Sequence, residues 1–327
     1  MLEIQIINPG PLTTVQDLGR PGHRRHGVTA GGAMDAFALH VANLLVGNAG
    51  DAAALEFALT GPRLKFSGNA LIALCGGGFG DLPDWRLVRV CAGGEISLEK
   101  CRAGCRGYLA VAGGLDVPRV LGGCGTDLRG GFGGHEGRAL RTGDVLKVKR
   151  GVLEAHSMRP DAALHHFIAP EIRPAYSRSP IVRVVRGTEA GEFSGEFFQH
   201  LFAVEAHSDR MGLRLAGPQL ERRTRAGELV SSPVAPGTIQ VPPNGQPIVL
   251  MADAQTLGGY PKIAHAISVD LPLLAQLRPG DTVRFQEVAL AEAHRLRLAR
   301  EHALAILREG LAEKLHEQAV RLRPPAC

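Results

Sequence analysis

Short apolar runs, each broken by glycine or proline, recur along the whole chain and restrict its fold more than any other feature. Leu71–Leu74, Glu95–Leu98, Tyr108–Val111, Val145–Val148, Ile181–Val185, Met211–Leu215, Ile248–Met251 and Val283–Phe285 are all three to five residues long. Runs this short suit strands, and 42 glycines with 21 prolines supply the turns between them. The reading is a mainly β chain of sheets or barrels with few helices. One helix is expected over Ala36–Val46 (AFALHVANLLV), with Asp35 placed to cap its first turn and Gly47 to end it. A shorter one, Leu271–Leu277, follows Asp270 and stops at Pro279-Gly280. From Val288 to Val320, Leu290, Ala293, Leu296, Ala299, Ala303, Ile306 and Leu311 recur mostly every three or four residues among Arg, Glu and His. That pattern predicts a C-terminal amphipathic helix, expected to pack on its own domain.

An internal repeat sets the domain count. Leu59-Thr60-Gly61-Pro62-Arg63-Leu64 matches Leu215-Ala216-Gly217-Pro218-Gln219-Leu220, and Leu140-Arg141-Thr142-Gly143-Asp144-Val145 matches Leu277-Arg278-Pro279-Gly280-Asp281-Thr282. Between them, Gly107–Gly114 aligns loosely with Gln246–Asp253, so the order of the matches is kept. The expected organisation is a β domain at 1–150, a linker at 151–174 within a stretch holding Pro160, Pro170, Pro174 and Pro180, a second β domain at 175–287, and a helical tail at 288–327.

Composition excludes several function classes. The 37 basic residues are interspersed with 32 acidic ones, and with 1 Trp and 3 Tyr there are few rings to stack on bases, so a nucleic-acid binder is not expected. No apolar run approaches the ~18 residues of a membrane span, and MLEIQIINPG lacks the marks of a signal peptide. The cysteines, Cys75, Cys91, Cys101, Cys105, Cys124 and Cys327, show no zinc spacing and read as reduced thiols of a cytoplasmic protein. No metal site is expected. Gly76–Asp81 and Gly130–Arg138 are glycine-rich, but neither carries a Gly-Lys-Ser/Thr or a GxGxxG fingerprint, and both read as hairpin turns. Serine-hydrolase elbows and HExxH are absent from the sequence.

Two segments are dense in polar groups where a core would be apolar. The first runs Thr13–Gly22, then His26-Gly27-Val28 and Gly31–Asp35; it offers Gln16, Asp17, Arg20, His26 and Asp35, the last equally a plain helix cap. In the second, a strand ending at Met251 runs straight into Asp253, Gln255, Thr256, Gly258-Gly259, Tyr260 and Lys262, preceded by Asp209-Arg210. A carboxylate, an amide and a hydroxyl at a strand's end can bind an amide or carboxylate, with Arg210 and Lys262 to hold an anion. An Asp209–Arg210 pair that merely pins a loop is an equal alternative. The two segments are expected to face one shared cleft.

These are also the segments that carry a family resemblance. TTVQDLGRPGHRRHGVTAGGAMDAFALHVANLLVGN (Thr13–Asn48), SDRMGLRLAGPQL (Ser208–Leu220), GTIQVPPNGQPIVLMADAQTLGGYPKIAHAISVDL (Gly237–Leu271) and TDLRGGFGGHEGRALRTGD (Thr126–Asp144) closely resemble the C-subunit family of 5-oxoprolinase. That family is also labelled allophanate hydrolase subunit 2 and is related to the carboxyltransferase domain of urea carboxylase. The resemblance covers roughly residues 3–287, leaving the helical tail outside. It implies two tandem cyclophilin-like β-barrel domains. It also implies a heteromeric enzyme, assembled with separate B and A subunits, that opens 5-oxo-L-proline to L-glutamate with ATP hydrolysis. The related domain of urea carboxylase implies an alternative, carboxyl transfer to urea or a similar small amide, with biotin carried on another protein. Some members are described as regulators that counter a kinase inhibitor, a third, non-catalytic alternative. Urea and 5-oxoproline share a planar N–C=O group, which needs donors on oxygen and an acceptor on nitrogen. The resemblance places Asp35, His26 and Asp253 as catalytic candidates and Gln16, Asp17, Arg20, Arg210, Gln255, Thr256, Tyr260 and Lys262 as substrate-binding candidates. A chain without a fused biotin carboxylase or biotin carrier favours the ATP-dependent hydrolase, inactive without its partners.

Overall fold

A computed structural model describes residues 1–151, 166–223 and 229–321. Pro160, most of the expected linker and Cys327 lie outside those residues. The chain divides into two compact units: Met1–Gly19, Asp35–Arg173 and His302–Cys327 form the first, Arg20–Met34 and Pro174–Glu301 the second.

The first unit carries β1 (Glu3–Asn8), β2 (Thr13–Gln16), α1 (Ala36–Leu45), β3 (Ala54–Ala58), β4 (Arg63–Phe66), β5 (Ala70–Phe79), β6 (Leu87–Val90), β7 (Glu95–Ser97), β8 (Cys101–Val111) and β9 (Val145–Lys147). Its strands form two antiparallel sheets, ordered β7-β4-β1-β9 and β2-β3-β8-β5-β6. Period-2 alternation sends Ile4, Ile6, Leu64 and Phe66 of one sheet and Val15, Leu55, Phe57, Ile72 and Leu74 of the other into a single core. On the opposite face of the second sheet, Thr14 pairs with Glu56, Glu56 with Tyr108, and Tyr108 with Cys75. All four are buried. The run Gly76–Phe79, expected as a turn, is instead the end of β5, with register shifts against β8. A methyl at Gly77 would sit 2.5 Å from Ala103 O, so β8 lies too close for a side chain there.

The second unit carries β10 (Ile181–Arg186), β11 (Leu201–Val204), β12 (Gly212–Ala216), β13 (Ser232–Pro233), β14 (Thr238–Gln240), β15 (Ile248–Leu250), β16 (Leu257–Gly258), β17 (Lys262–Ala266), α2 (Leu271–Ala275), β18 (Thr282–Glu287) and the start of α3 (Leu290–Arg321). Seven of its strands close a barrel in the order β10-β17-β14-β15-β12-β11-β18, sealed by a parallel β10–β18 pair. Phe197, Phe202 and Phe285 pack together in its core, with Phe197 and Phe285 stacked at 4.9 Å. Asp270 precedes α2 as expected, but its carboxylate accepts from Arg183 N, Nε and Nη2 at 2.7, 2.9 and 2.6 Å, tying the helix start to β10.

The repeat is visible in space. β3 pairs with β8, and its counterpart β12 pairs with β15. Both matched Gly-Asp turns close alike: Arg141 N donates to Asp144 Oδ2 at 2.8 Å, and Arg278 N donates to Asp281 Oδ2 at 3.0 Å. Gly143 and Gly280 take φ of 91° and 86°, which a side chain would resist.

In α3, Ala293 packs with Ile267 and Val269, and Leu311 is buried. Leu290, Ala299 and Ile306 of the expected stripe are exposed. Steps of three residues drift by about 60° around a 3.6-residue helix, so a stripe built largely of such steps is too wide for one flat surface to cover. No helix among the described residues is long and apolar enough to cross a membrane.

Candidate functional site

The polar candidates divide between the two units. In the first, Gln16 and Asp17 are buried at the end of β2. Gln16 Nε2 donates to Thr126 O at 3.1 Å, and Asp17 accepts Gly19 N–H at 2.8 Å and the N–H of Cys124. Both thus hold the 124–126 loop, and Gly125 makes room for them: a methyl there would lie 2.6 Å from Gln16 Oε1. Asp35 caps α1, its Oδ1 accepting Ala38 N–H at 2.9 Å while its own N–H donates to Tyr108 Oη at 2.8 Å. Burial pushes the Tyr108 hydroxyl well above its usual range, with Glu56 and Asp35 adding to the shift.

Arg20 and His26 belong to the second unit, where the segment Arg20–Met34 docks by backbone bonds. Gly31 N–H donates to Ala252 O at 3.1 Å, and Met34 enters the barrel's core cluster. The anchor is Arg210, 6% exposed, whose Nε and Nη2 grip Asp253 Oδ2 and Oδ1 at 2.7 and 2.9 Å. Its Nη2 also donates to Gly32 O at 2.6 Å. A methyl built on Gly31, whose φ is +60°, would meet Arg20 Nη1 at 3.5 Å and Asp253 Oδ1 at 3.9 Å. Asp253 therefore stands beside two guanidinium groups, Arg210 and Arg20. Asp209 does not share the pair; its Oδ1 accepts Met211 N–H at 2.8 Å and Gly212 N–H at 3.1 Å, which fixes the turn presenting Arg210.

A second cluster lies on the outward side of β14 and β17. Register places Thr238 opposite His265 and Gln240 opposite Lys262, while Ile239 and Ala264 point into the barrel. Gln255 reaches Gln240 Oε1 at 3.5 Å, and Gln240 Nε2 donates to Tyr260 O at 3.2 Å. Lys262 is buried with Nζ 4.0 Å from Glu189 Oε2, and its N–H donates to the same oxygen at 2.8 Å. Burial alone would raise the Glu189 carboxyl, but bonds from the Lys262 N–H and Thr188 and the Lys262 charge hold it below its usual range. Burial and the Lys262 charge lower the His265 imidazole, whose Nδ1 lies 3.2 Å from Thr238 Oγ1. Tyr260 is half-exposed beside a groove of about 800 Å³ lined by Leu220, Arg222, Val241, Pro242 and Pro243. The structure brings Arg20, Arg210 and Asp253 together, and Gln255, Tyr260 and Lys262 around Gln240. The sequence reading missed Gln240, Thr238, His265 and Glu189. One signal was available: Thr238-Ile239-Gln240 echoes Thr14-Val15-Gln16, and in both strands the Thr and Gln are buried opposite a core-facing aliphatic.

The glycine-rich segments do not fit a nucleotide phosphate. Gly76–Gly78 lie in β5, and the N–H groups of Gly130, Gly131, Gly134 and Gly137 are spent on Asp127, Cys124 and Gly133 within the same region. Among the described residues, no three His, Cys, Asp or Glu groups converge to hold a metal.

Known proteins locate this architecture. The carboxyltransferase domain, subdomain A and B, matches residues 26–287. The 5-oxoprolinase C subunit of Escherichia coli K12 is 40% identical over 96% of this chain and 99% of its own, and that of Haemophilus influenzae is 38% identical over 95% and 99%. Among solved structures, the urea carboxylase of Kluyveromyces lactis superposes with a TM-score of 0.84 at 30% identity, covering 94% of this chain but only 29% of that one. A match of this extent makes the chain a member of the carboxyltransferase-domain family and, within it, of the C subunits of 5-oxoprolinase.

Proposed function

We propose that this chain is the C subunit of an ATP-dependent 5-oxoprolinase, working with the B and A subunits in the cytoplasm to open 5-oxo-L-proline to L-glutamate. The observation that carries the reading is end-to-end similarity to two 5-oxoprolinase C subunits, 99% of each being covered. With no phosphate cradle in its glycine-rich segments, this chain serves the lactam and leaves nucleotide binding to its partners.

The Asp253 carboxylate, locked by Arg210, is a rigid acceptor for the lactam N–H. Preorganised groups of this kind need no rearrangement as charge develops on the amide. Gln255, Thr256 and Lys262 supply donors for the carbonyl oxygen, and Tyr260 walls the groove beside them. Arg20 adds positive charge for the substrate carboxylate. His26 stands on the exposed loop that follows Arg20, able to exchange a proton with the opened ring. Gln16, Asp17 and Asp35 act at one remove, as posts that hold α1 and the 124–126 loop.

The 0.84 TM-score to a urea carboxylase favours a second reading, transfer of a carboxyl group from biotin on another protein to a small amide. The purified complex of this chain with the A and B subunits separates the two. Release of ADP that depends on 5-oxoproline supports the first reading, and carboxylation of urea that depends on biotin, without that release, replaces it with the second. Asp253→Asn is expected to lower turnover by about a hundredfold, the usual effect of removing one preorganised polar group.

A further inference from the structure

The sequence Pro21–Thr29 leaves the candidate site and returns to it. Its two ends are pinned, since Arg20 N–H donates to Ala30 O at 2.7 Å and Gly31 N–H to Ala252 O at 3.1 Å. Between these bonds the chain makes a single 3-10 turn, Arg24–His26, that buries none of its residues. Gly22 and Gly27 flank the turn with φ of 90° and 79°, and a methyl on either would meet nothing within 4 Å. These glycines therefore serve the backbone's course and not its packing.

The loop's tip reads His23-Arg24-Arg25-His26. Arg25 Nε donates to His26 Nε2 at 3.2 Å, and the His23 and His26 rings stand 6.1 Å apart. Among the described residues, neither Arg24 nor Arg25 pairs with a carboxylate. Two guanidinium groups side by side without a counter-charge repel each other and attract anions. The neck from which they rise holds Arg20 and Asp253. Four residues of extended chain span about 13 Å, so the tip can fold back over a ligand lying at Asp253.

We infer that Pro21–Thr29 is a basic flap that closes on an oxyanion of the ligand held at Asp253, with Arg24 and Arg25 making the contact. The inference rests on the proposed binding of a small lactam at that site. The oxyanion is a carboxylate on the ligand or a phosphoryl group placed on it. In either case an Arg fork suits the geometry better than a Lys point charge.

Trypsin supplies a direct test, because both contact residues are its cleavage sites. The assembled complex is digested briefly, and cleavage after Arg24 and Arg25 is followed by mass spectrometry. Parallel digests contain no ligand, 5-oxoproline, inorganic phosphate, or uncharged pyrrolidin-2-one. Protection at these two bonds by 5-oxoproline or by phosphate, and not by pyrrolidin-2-one, is the expected result; which anion protects names the source. A second arm measures turnover of R24Q/R25Q, expected to raise KM for 5-oxoproline about tenfold, the effect of a lost charged hydrogen bond, with kcat little changed. R24K/R25K is expected to recover part of that loss. Equal cleavage in all four digests, or an unchanged KM in R24Q/R25Q, overturns the flap. Protection by phosphate in a wild-type complex that does not turn over 5-oxoproline would leave the flap standing and discard the oxoprolinase reading.

Discussion

The two units solve the same problem with different closures. In the second, β12 pairs with β11 on one side and β15 on the other, so one strand joins both halves of the barrel. In the first, that place is split between β4, which pairs with β1, and β3, which pairs with β8, with the bend Leu59–Pro62 between them. Leu59 turns through a left-handed φ of 63°, costly for a branched side chain. Two sheets result where the other unit has a ring. The turns shared by both copies are thus local devices, and closure depends on whether a strand continues past its turn.

The outward faces differ as well. The first unit buries an acid-rich ladder of Glu56, Tyr108 and Cys75 beside Asp35, with Arg106 moderating its charge. The second buries Arg210, Lys262 and Gln240, with carboxylates supplied from loops at Asp253 and Glu189. Cationic groups fixed in place near an open groove suit anion-bearing ligands better than a closed acidic ladder does.

The sharpest break in this contrast is Asp253→Ala. It leaves Arg210 buried without its carboxylate and is expected to cost about 3–5 kcal/mol in chemical denaturation of the chain, by the usual penalty for a broken buried pair. The double variant Asp253→Leu with Arg210→Met is expected to regain most of the stability while turnover stays lost. Recovery of turnover by the double variant would remove the pair from the site.

Next come the matched turn aspartates. Asp144 accepts Arg138 Nη1 and Nη2 at 2.7 and 2.9 Å, whereas Asp281 pairs with a largely exposed Arg178. Asp144→Ala is expected to cost about 2 kcal/mol and Asp281→Ala about 1, from the worth of charged against ordinary hydrogen bonds. Arg138 holds the Asp144 carboxyl at about 2, below its ordinary 3.8. Its stabilisation is therefore complete above pH 4 and fades as pH falls toward 2, so Asp144→Asn should flatten that part of the wild-type acid-unfolding curve. An unaltered acid limb would show the bond is not formed in solution.

Thiol labelling reads the first unit alone. Burial pushes the Cys75 thiol far up and shields it, while Cys91 is exposed. With a thiol reagent, Cys91 is expected to react at once and Cys75 only at the rate at which the unit opens. Rapid labelling of Cys75 in native protein would mean that the ladder is open. The smallest effect is expected on α3, where Ile306→Glu on the exposed side should shift stability by no more than about 0.5 kcal/mol. A larger loss would show that this face is covered in solution.

Much of this was legible from residue order. Asp35 at the start of α1, the strand into Asp253 and the Gly-Asp turns all follow from local chemistry, and the structure contains them. Gln16 and Asp17 were harder, because a polar side chain next to a polar run reads as a site when nothing reveals that Thr126 and Cys124, over a hundred residues on, will bond to them. Gly76–Phe79 misled for the converse reason. A glycine run signals a turn locally, but here it answers to Ala103, a partner distant in sequence.

Residue order by itself settled the β class, the duplication, the caps and the turn types, since each depends on groups a few positions apart. Tertiary structure decided that Arg20–Met34 serves the second unit, that Arg210 chooses Asp253 over its neighbour Asp209, and that one barrel closes while the other opens into sheets. Those outcomes are set by which buried charges and edge strands find a partner, and such partners are chosen by three-dimensional proximity.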